Sequence, residues 1–198
     1  MAPAASTSRR HTADSLLAVA VAEFTERGYD GTSMEDLARA AGITKSSIYH
    51  HVSGKEALLK RALDRALDAL FAVTEEPAAH EGPAIDRLDH VVRRSVEVLV
   101  DELPYVTLLL RVRGNSATEQ EALDRRRTFD RFVGRLVADA RRDGAVRTDL
   151  DPALTTRLVF GLVNSIAEWY RPGRGLAAGR LADAVADLVM RGLLADKG

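Results

Sequence analysis

The sequence predicts an all-α protein of about nine helices, and three observations carry that prediction. Apolar residues recur every three or four positions in run after run, the period of a helix with one buried face. Glycine and proline punctuate the runs at Gly28, Gly42, Gly82, Pro83, Pro104, Gly114, Gly144 and Gly173, where helices stop or turn. The stretch from Thr32 to Lys55, TSMEDLARAAGITKSSIYHHVSGK, reads as two short helices about a tight turn, with a third beginning directly after. That is a helix-turn-helix.

Length and composition bound the rest. A chain of 198 residues makes one large domain or two modest ones and is long enough to bury a core. Its formal net charge is -1, so any affinity for nucleic acid must come from a local patch and from a dimer. The absence of cysteine excludes disulfide scaffolds, thiolate zinc sites and cysteine nucleophiles. No apolar run is long enough to span a bilayer. The Ala/Ser/Pro-rich stretch from Met1 to Arg10 lacks the apolar centre of a secretory signal. A cytoplasmic protein with no membrane partner is therefore expected.

Residues 1–8 are expected to be a disordered tail. Arg9, Arg10 and His11 form a short basic cluster that either touches phosphate or is simply solvated. The first helix is expected from Thr12 to Arg27, with Ala13, Leu16, Leu17, Ala20 and Phe24 inward and Gly28 as its stop. It braces the helix-turn-helix, and Tyr29 packs under the resulting three-helix head. Ser33 can cap the second helix, with Asp36 placed for a capping box and Met34, Leu37, Ala38 and Ala41 at helical spacing. Gly42 supplies the left-handed stop. Thr44 can cap a third helix from Lys45 to His51, with Ile48 and Val52 inward. Ser53 and Glu56 make a further capping box.

The outer face of the third helix carries Lys45, Ser46, Ser47, Tyr49 and His50, with no acid and no large aliphatic side chain. Short hydroxyl residues there allow close approach to DNA and leave backbone N–H groups for phosphate. Lys45 can reach a guanine edge or a phosphate, and Tyr49 and His50 a phosphate or a thymine methyl. Thr32, Ser33, Thr44 and Lys55 complete the expected DNA-binding set, with Lys55 facing the backbone across the groove. The motif strongly resembles the head of the TetR family of bacterial repressors. The residues that carry the resemblance are Gly28-Tyr29, Thr32-Ser33, Leu37-Ala38, Ala41-Gly42-Ile43-Thr44, Tyr49 and Lys55-Glu56-Ala57-Leu58, with Val52 where the family usually has Phe. The resemblance covers about Ala13 to Leu59 and implies a DNA-binding domain over 9–53.

Beyond it, 54–198 is expected to form a second helical domain. The fourth helix runs from about Gly54 to Thr74, a candidate lever between head and body. Glu75 to Pro83 reads as a loop, and Pro83 to Leu103 as a helix that Pro104 breaks. Tyr105 to Arg113 is a short apolar piece. Thr118 to Asp143 is a long helix carrying Arg125, Arg126 and Arg127, read as a solvated face with ion pairs to Asp124 and Asp130 in preference to a binding patch. Asp151 caps and Pro152 opens the eighth helix, which runs to Tyr170, and Leu181 to Leu194 is the ninth. Two terminal helices this apolar need a surface to cover them, and a symmetric partner supplies one. The TetR resemblance implies a homodimer through a four-helix bundle over Asp151 to Leu194, with Leu158, Gly161, Leu162, Ser165, Leu181, Val185 and Leu188 at the interface.

No catalytic constellation is present: no phosphate loop, no His-Glu-x-x-His, no nucleophile elbow, and no pair of histidines four apart. Neither an enzyme, a metal site nor a cofactor is expected. The segment NSIAEWYRPGRG, Asn164 to Gly175, resembles the Trp-Tyr-Arg-Pro-Gly segment of TetR-like repressors that bind acyl-coenzyme A. An aromatic can cover an acyl chain or adenine and an arginine can hold a phosphate. Equally, Trp169 fills the dimer core and Arg171 answers a helix dipole. The expected ligand set is Leu108, Arg111, Phe129, Val133, Asn164, Trp169, Arg171 and Arg174, with Arg113 and Asn115 nearby. The resulting expectation is a homodimeric repressor on a pseudo-palindromic DNA operator, released by a small-molecule effector, an acyl-CoA thioester. The alternatives are a repressor of a drug-efflux gene with an aromatic or cationic ligand, and a helical adaptor without DNA binding.

Overall fold

A computed structural model describes residues 12–174 and 176–195. The expected tail over residues 1–8 and the cluster Arg9 to His11 lie outside the described residues. Among those described there are nine α-helices and no strand, apart from one antiparallel bridge between Val146 and Leu194. The helices are α1 (Ala13–Arg27), α2 (Met34–Ala41), α3 (Lys45–Tyr49), α4 (Lys55–Thr74), α5 (Ala84–Asp101), α6 (Leu103–Arg111), α7 (Ala117–Arg142), α8 (Pro152–Trp169) and α9 (Ala178–Leu193). The chain divides into two compact units between Ala62 and Leu63, inside α4.

In the first unit each short helix is fixed at its ends. Thr12 caps α1 by accepting from Ser15 N, and Gly28 takes φ 82° to close it on Phe24 O. Ser33 and Asp36 form a complete capping box at α2. Gly42, at φ 69°, turns the chain left-handed and returns its N–H to Ala38 and Arg39. A side chain there would be strained, which is why glycine stands at the turn. Leu16, Leu17, Phe24, Leu37, Ile48, Leu58 and Leu59 are buried in this unit. Each such side chain stabilises by roughly 1.5–3 kcal/mol. Tyr29 packs edge-on to Phe24 at 5.2 Å.

In the second unit α5 packs against α7 and α9, and α8 packs against α7. The core joins Leu88, Val92 and Val96 of α5 to Phe129 and Val133 of α7, Val163 and Ile166 of α8, and Val185 and Val189 of α9. Arg93 forks from α5 to Asp89 of the same helix and to Asp183 and Asp187 of α9. Glu119, buried in the first turn of α7, accepts from Gly114 N and Asn115 N at 2.8 and 2.6 Å and so shapes the α6–α7 turn.

Three boundaries differ from expectation for local reasons. Pro104 opens α6 as well as ending the α5 pattern, because its missing N–H is not needed in a first turn. The last helix starts at Ala178, ahead of Leu181, and its N-cap Ala177 makes no side-chain bond, so no start signal is there to read. The third helix stops at Tyr49 because His50 N turns to Ser47 O and His51 N to Ile48 O, a tightened end.

Candidate functional site

The outward face of α3 is built by its cap and its anchor. Thr44 Oγ1 accepts from Ser47 N at 3.2 Å and lies 3.0 and 2.9 Å from the Ser46 and Ser47 hydroxyls. Ile48 is buried and holds the helix down. Lys45, Ser46, Tyr49 and His50 are thereby presented, Tyr49 at 48% exposure. The face lacks an acid only within α3: Glu35 of α2 pairs with the Lys45 ammonium. That bond raises the Lys45 pKa and lowers that of Glu35.

Two expected backbone contacts are turned inward. Thr32 is buried, and its hydroxyl donates to Gly28 O at 2.8 Å. Lys55 Nζ donates to Tyr29 O at 3.0 Å and Thr32 O at 3.1 Å and lies 4.4 Å from the Tyr29 ring centroid. Both side chains clamp the turn that presents α2; neither faces outward. Ser33 is exposed but is spent on the α2 cap.

The terminal helices carry the second presented surface. Leu154, Leu158, Trp169, Leu176, Leu188 and Leu194 are exposed large apolar residues, and the only other one among the described residues is Tyr49. Leu158 and Leu188 are 61% and 64% exposed. They flank an apolar crease of about 240 Å³ between α8 and α9, with Leu150, Leu162 and Gly192. Gly161 and Ser165 are exposed on α8, and a Cβ on Gly161 would meet nothing within 4 Å. Leu181 and Val185 are not on this surface. Both are buried in their own core, because α9 turns that side toward α5.

The expected ligand residues do not converge. Leu108, Phe129 and Val133 are buried core, and Phe129 sits between Phe71 and Phe160 at 6.0 and 5.5 Å between ring centroids. Trp169 lies exposed against Tyr170, and Arg171 Nη1 donates to Tyr170 O at 2.8 Å. Arg111 and Arg174 are exposed. Asn164 lines two cavities that the rest of the set does not reach. One is a small, partly open chamber of about 40 Å³ among α4, α5, α6, α7 and α8, bounded by Leu70, Leu99, Leu109 and Val163. The other is an open groove of about 820 Å³ between α7 and α8, where Arg126, Arg131 and Arg157 surround Asp130. Desolvation raises the Asp130 pKa, against the pull of these arginines.

Residues 16–62 match the model of bacterial regulatory proteins of the tetR family, and residues 81–193 match the tetracyclin repressor-like C-terminal domain. The chain belongs to the tetR family. It is a DNA-binding transcriptional regulator of that type. A tetR-family relative, the HTH-type transcriptional repressor KstR2 of Rhodococcus jostii (strain RHA1), is 31% identical over 188 residues, covering 90% of this chain and 89% of the relative. A TetR transcriptional regulator family member from Streptomyces coelicolor A3 superposes with a TM-score of 0.86 at 61% identity over 91% of both chains. The ketosteroid transcriptional regulator KstR2 of Mycobacterium tuberculosis superposes with a TM-score of 0.84 at 26% identity, covering 98% of this chain and 99% of its own.

Two features of this tetR-family chain emerge only from its structure. Glu35 sits ten residues before its lysine partner, on another helix, and nothing local signals the pair. The groove does leave a signal: Arg127, Arg131 and Arg135 are four apart, on one helix face, with Arg126 beside them. The run read from the sequence as a solvated face is Arg125, Arg126 and Arg127, without Arg131 and Arg135, and the opposing Arg157 is brought near only by the packing of α8.

Proposed function

We propose that the chain acts as a homodimeric repressor. Two α3 helices enter successive major grooves of a pseudo-palindromic operator. Residues 9–53 serve DNA, and 54–198 serve dimerisation and effector binding. The observation that carries this reading is where apolar surface is left open: on α3 at Tyr49, and along the last two helices and their flanking segments at six further positions. A single chain with that distribution has one surface for a groove and one for its own copy. Lys45, Ser46, Tyr49 and His50 form the reading face, and Leu158, Gly161, Ser165 and Leu188 the pairing face.

The effector is an acyl-CoA thioester with an aromatic or alicyclic acyl group. The Trp169-Tyr170-Arg171-Pro172-Gly173 segment supports the thioester, and the ketosteroid named for the M. tuberculosis relative supports an alicyclic body. Bound thioester releases DNA by favouring a separation of the two α3 helices that no longer fits the operator.

The test is anisotropy titration of an operator fragment selected by the protein, at several salt concentrations, with and without thioesters. Lys45→Ala and Tyr49→Ala weaken binding, and the salt dependence flattens by about one for each phosphate that the variant no longer neutralises. A matching thioester weakens binding about 5- to 150-fold, and its free acid does not. Unchanged binding by both variants removes the α3 face from the mechanism. A broad thioester panel without effect removes the thioester.

A further inference from the structure

The groove between α7 and α8 concentrates positive charge in a chain whose net charge is -1. Arg126, Arg127, Arg131, Arg135 and Arg157 line it against one carboxylate, Asp130. The bonds of Arg127 to Asp124 and of Arg131 to Thr128 run along α7 itself. Arg126, Arg135 and Arg157 make no hydrogen bond or ion pair among the described residues, and Arg126 and Arg157 feel Asp130 only at longer range. Guanidiniums gathered in one concavity repel one another, and apart from the Arg127–Asp124 pair only Asp130 opposes them. An anionic ligand does. The groove, at about 820 Å³, also has the size of a small-molecule site.

Its floor gives the ligand a direction. Arg126, Phe160 and Asn164 line both the groove and the partly open, mainly apolar chamber beside it. The Phe160 ring stands between the two and leans edge-on on Phe129. A chamber of about 40 Å³ has no room for an acyl chain, so one fits only if lining side chains move, and Phe160 is the largest apolar side chain that borders both spaces.

We propose that this groove is the anion site of the effector: it holds the phosphate-rich end of a nucleotide-bearing thioester, and Phe160 is the door to the chamber for the acyl end. The proposal rests on the effector reading above and assigns the phosphates to Arg126, Arg131 and Arg157 in place of Arg171 and Arg174. Guanidinium forks match phosphate oxygens two at a time. Asp130 opposes the incoming anion, so its charge weakens binding.

Calorimetric titration of the full-length protein tests this with coenzyme A, hexanoyl-CoA, hexanoate and ATP as probes. Coenzyme A and hexanoyl-CoA compete for one site, and hexanoate alone does not bind. The double variant Arg126→Ala/Arg157→Ala loses about tenfold or more in affinity for both, and the corresponding lysine pair recovers part of it. Asp130→Asn binds coenzyme A more tightly, and Phe160→Trp weakens hexanoyl-CoA but not coenzyme A. Arg142→Ala, at the far end of α7, serves as control, and circular dichroism melts establish that each variant folds. Wild-type affinity in the double alanine variant, or no binding of coenzyme A, overturns the proposal. ATP binding as tight as hexanoyl-CoA overturns the thioester assignment in favour of a nucleotide site. Operator release separates the two readings. Thioester that binds with these dependences yet leaves DNA bound defeats the effector reading alone. Thioester that releases the double variant as it releases wild type defeats the groove alone.

Discussion

Asp36 shows how much one carboxylate fixes in a short helix. It accepts from Ser33 N at 3.0 Å, from the Ser33 hydroxyl at 2.6 Å and from Arg39 Nη1 at 2.9 Å. These bonds, the Ser33 hydroxyl first, hold its pKa at about 2, below the ordinary 3.8. A folded-state value below the unfolded one means the stabilisation is complete above the ordinary pKa and is lost as pH falls through the folded one. Urea melts of wild type and Asp36→Asn should therefore differ at pH 6, and the gap should close between about pH 4 and pH 2. A gap that does not change with pH would show that the cap acts by geometry and not by charge. The cap itself is legible in the sequence, because a capping box is a local pattern. Thr32 and Lys55 are not: a lysine in a first helical turn reads the same whether it faces a phosphate or, as here, two carbonyls of its own chain. In the proposed complex Lys45 likewise exchanges Glu35 for its DNA partner.

At the scale of the element, α9 is the informative case. Its apolar residues occupy more than one face, and spacing alone does not say which face meets the chain's own core. The structure puts Leu181, Val185 and Val189 inside and leaves Leu188 out. Leu188→Glu should then give a folded monomer by light scattering, with its helical signal kept. Val185→Glu buries an uncompensated charge and should instead destabilise the fold itself, by several kcal/mol. If the two variants behave alike, this division of the faces of α9 is wrong. The length of α7 is legible almost to the residue because Ser116 caps it and Gly144 follows it. What α7 does along that length is not, since Arg125 pairs with Asp64 and Asp68 of α4 and not within its own helix. Arg127 does pair with Asp124 as expected.

For the whole molecule, fold class and helix order follow from the sequence because every segment carries its own period and its own punctuation. The cavities do not follow, because a groove exists only where two distant faces meet, and Arg126 and Arg157 are brought together by packing alone. The same holds for the pairing surface, where a patch of exposed leucines is visible only once α8 and α9 are folded. If a second copy covers that patch, the melting temperature should rise with protein concentration, because dissociation then accompanies unfolding. A midpoint independent of concentration over a hundredfold range would mean no such coupling. Trp169 is the single tryptophan of the chain, and it stands 54% exposed at the end of α8. Its emission is therefore not an average over many sites but a report from one. A shift to shorter wavelength on raising concentration marks closure of the terminal helices, and one on adding a thioester marks a ligand near that end. The protein thus carries its own optical label at the end of its proposed pairing surface and outside the lining of the α7–α8 groove.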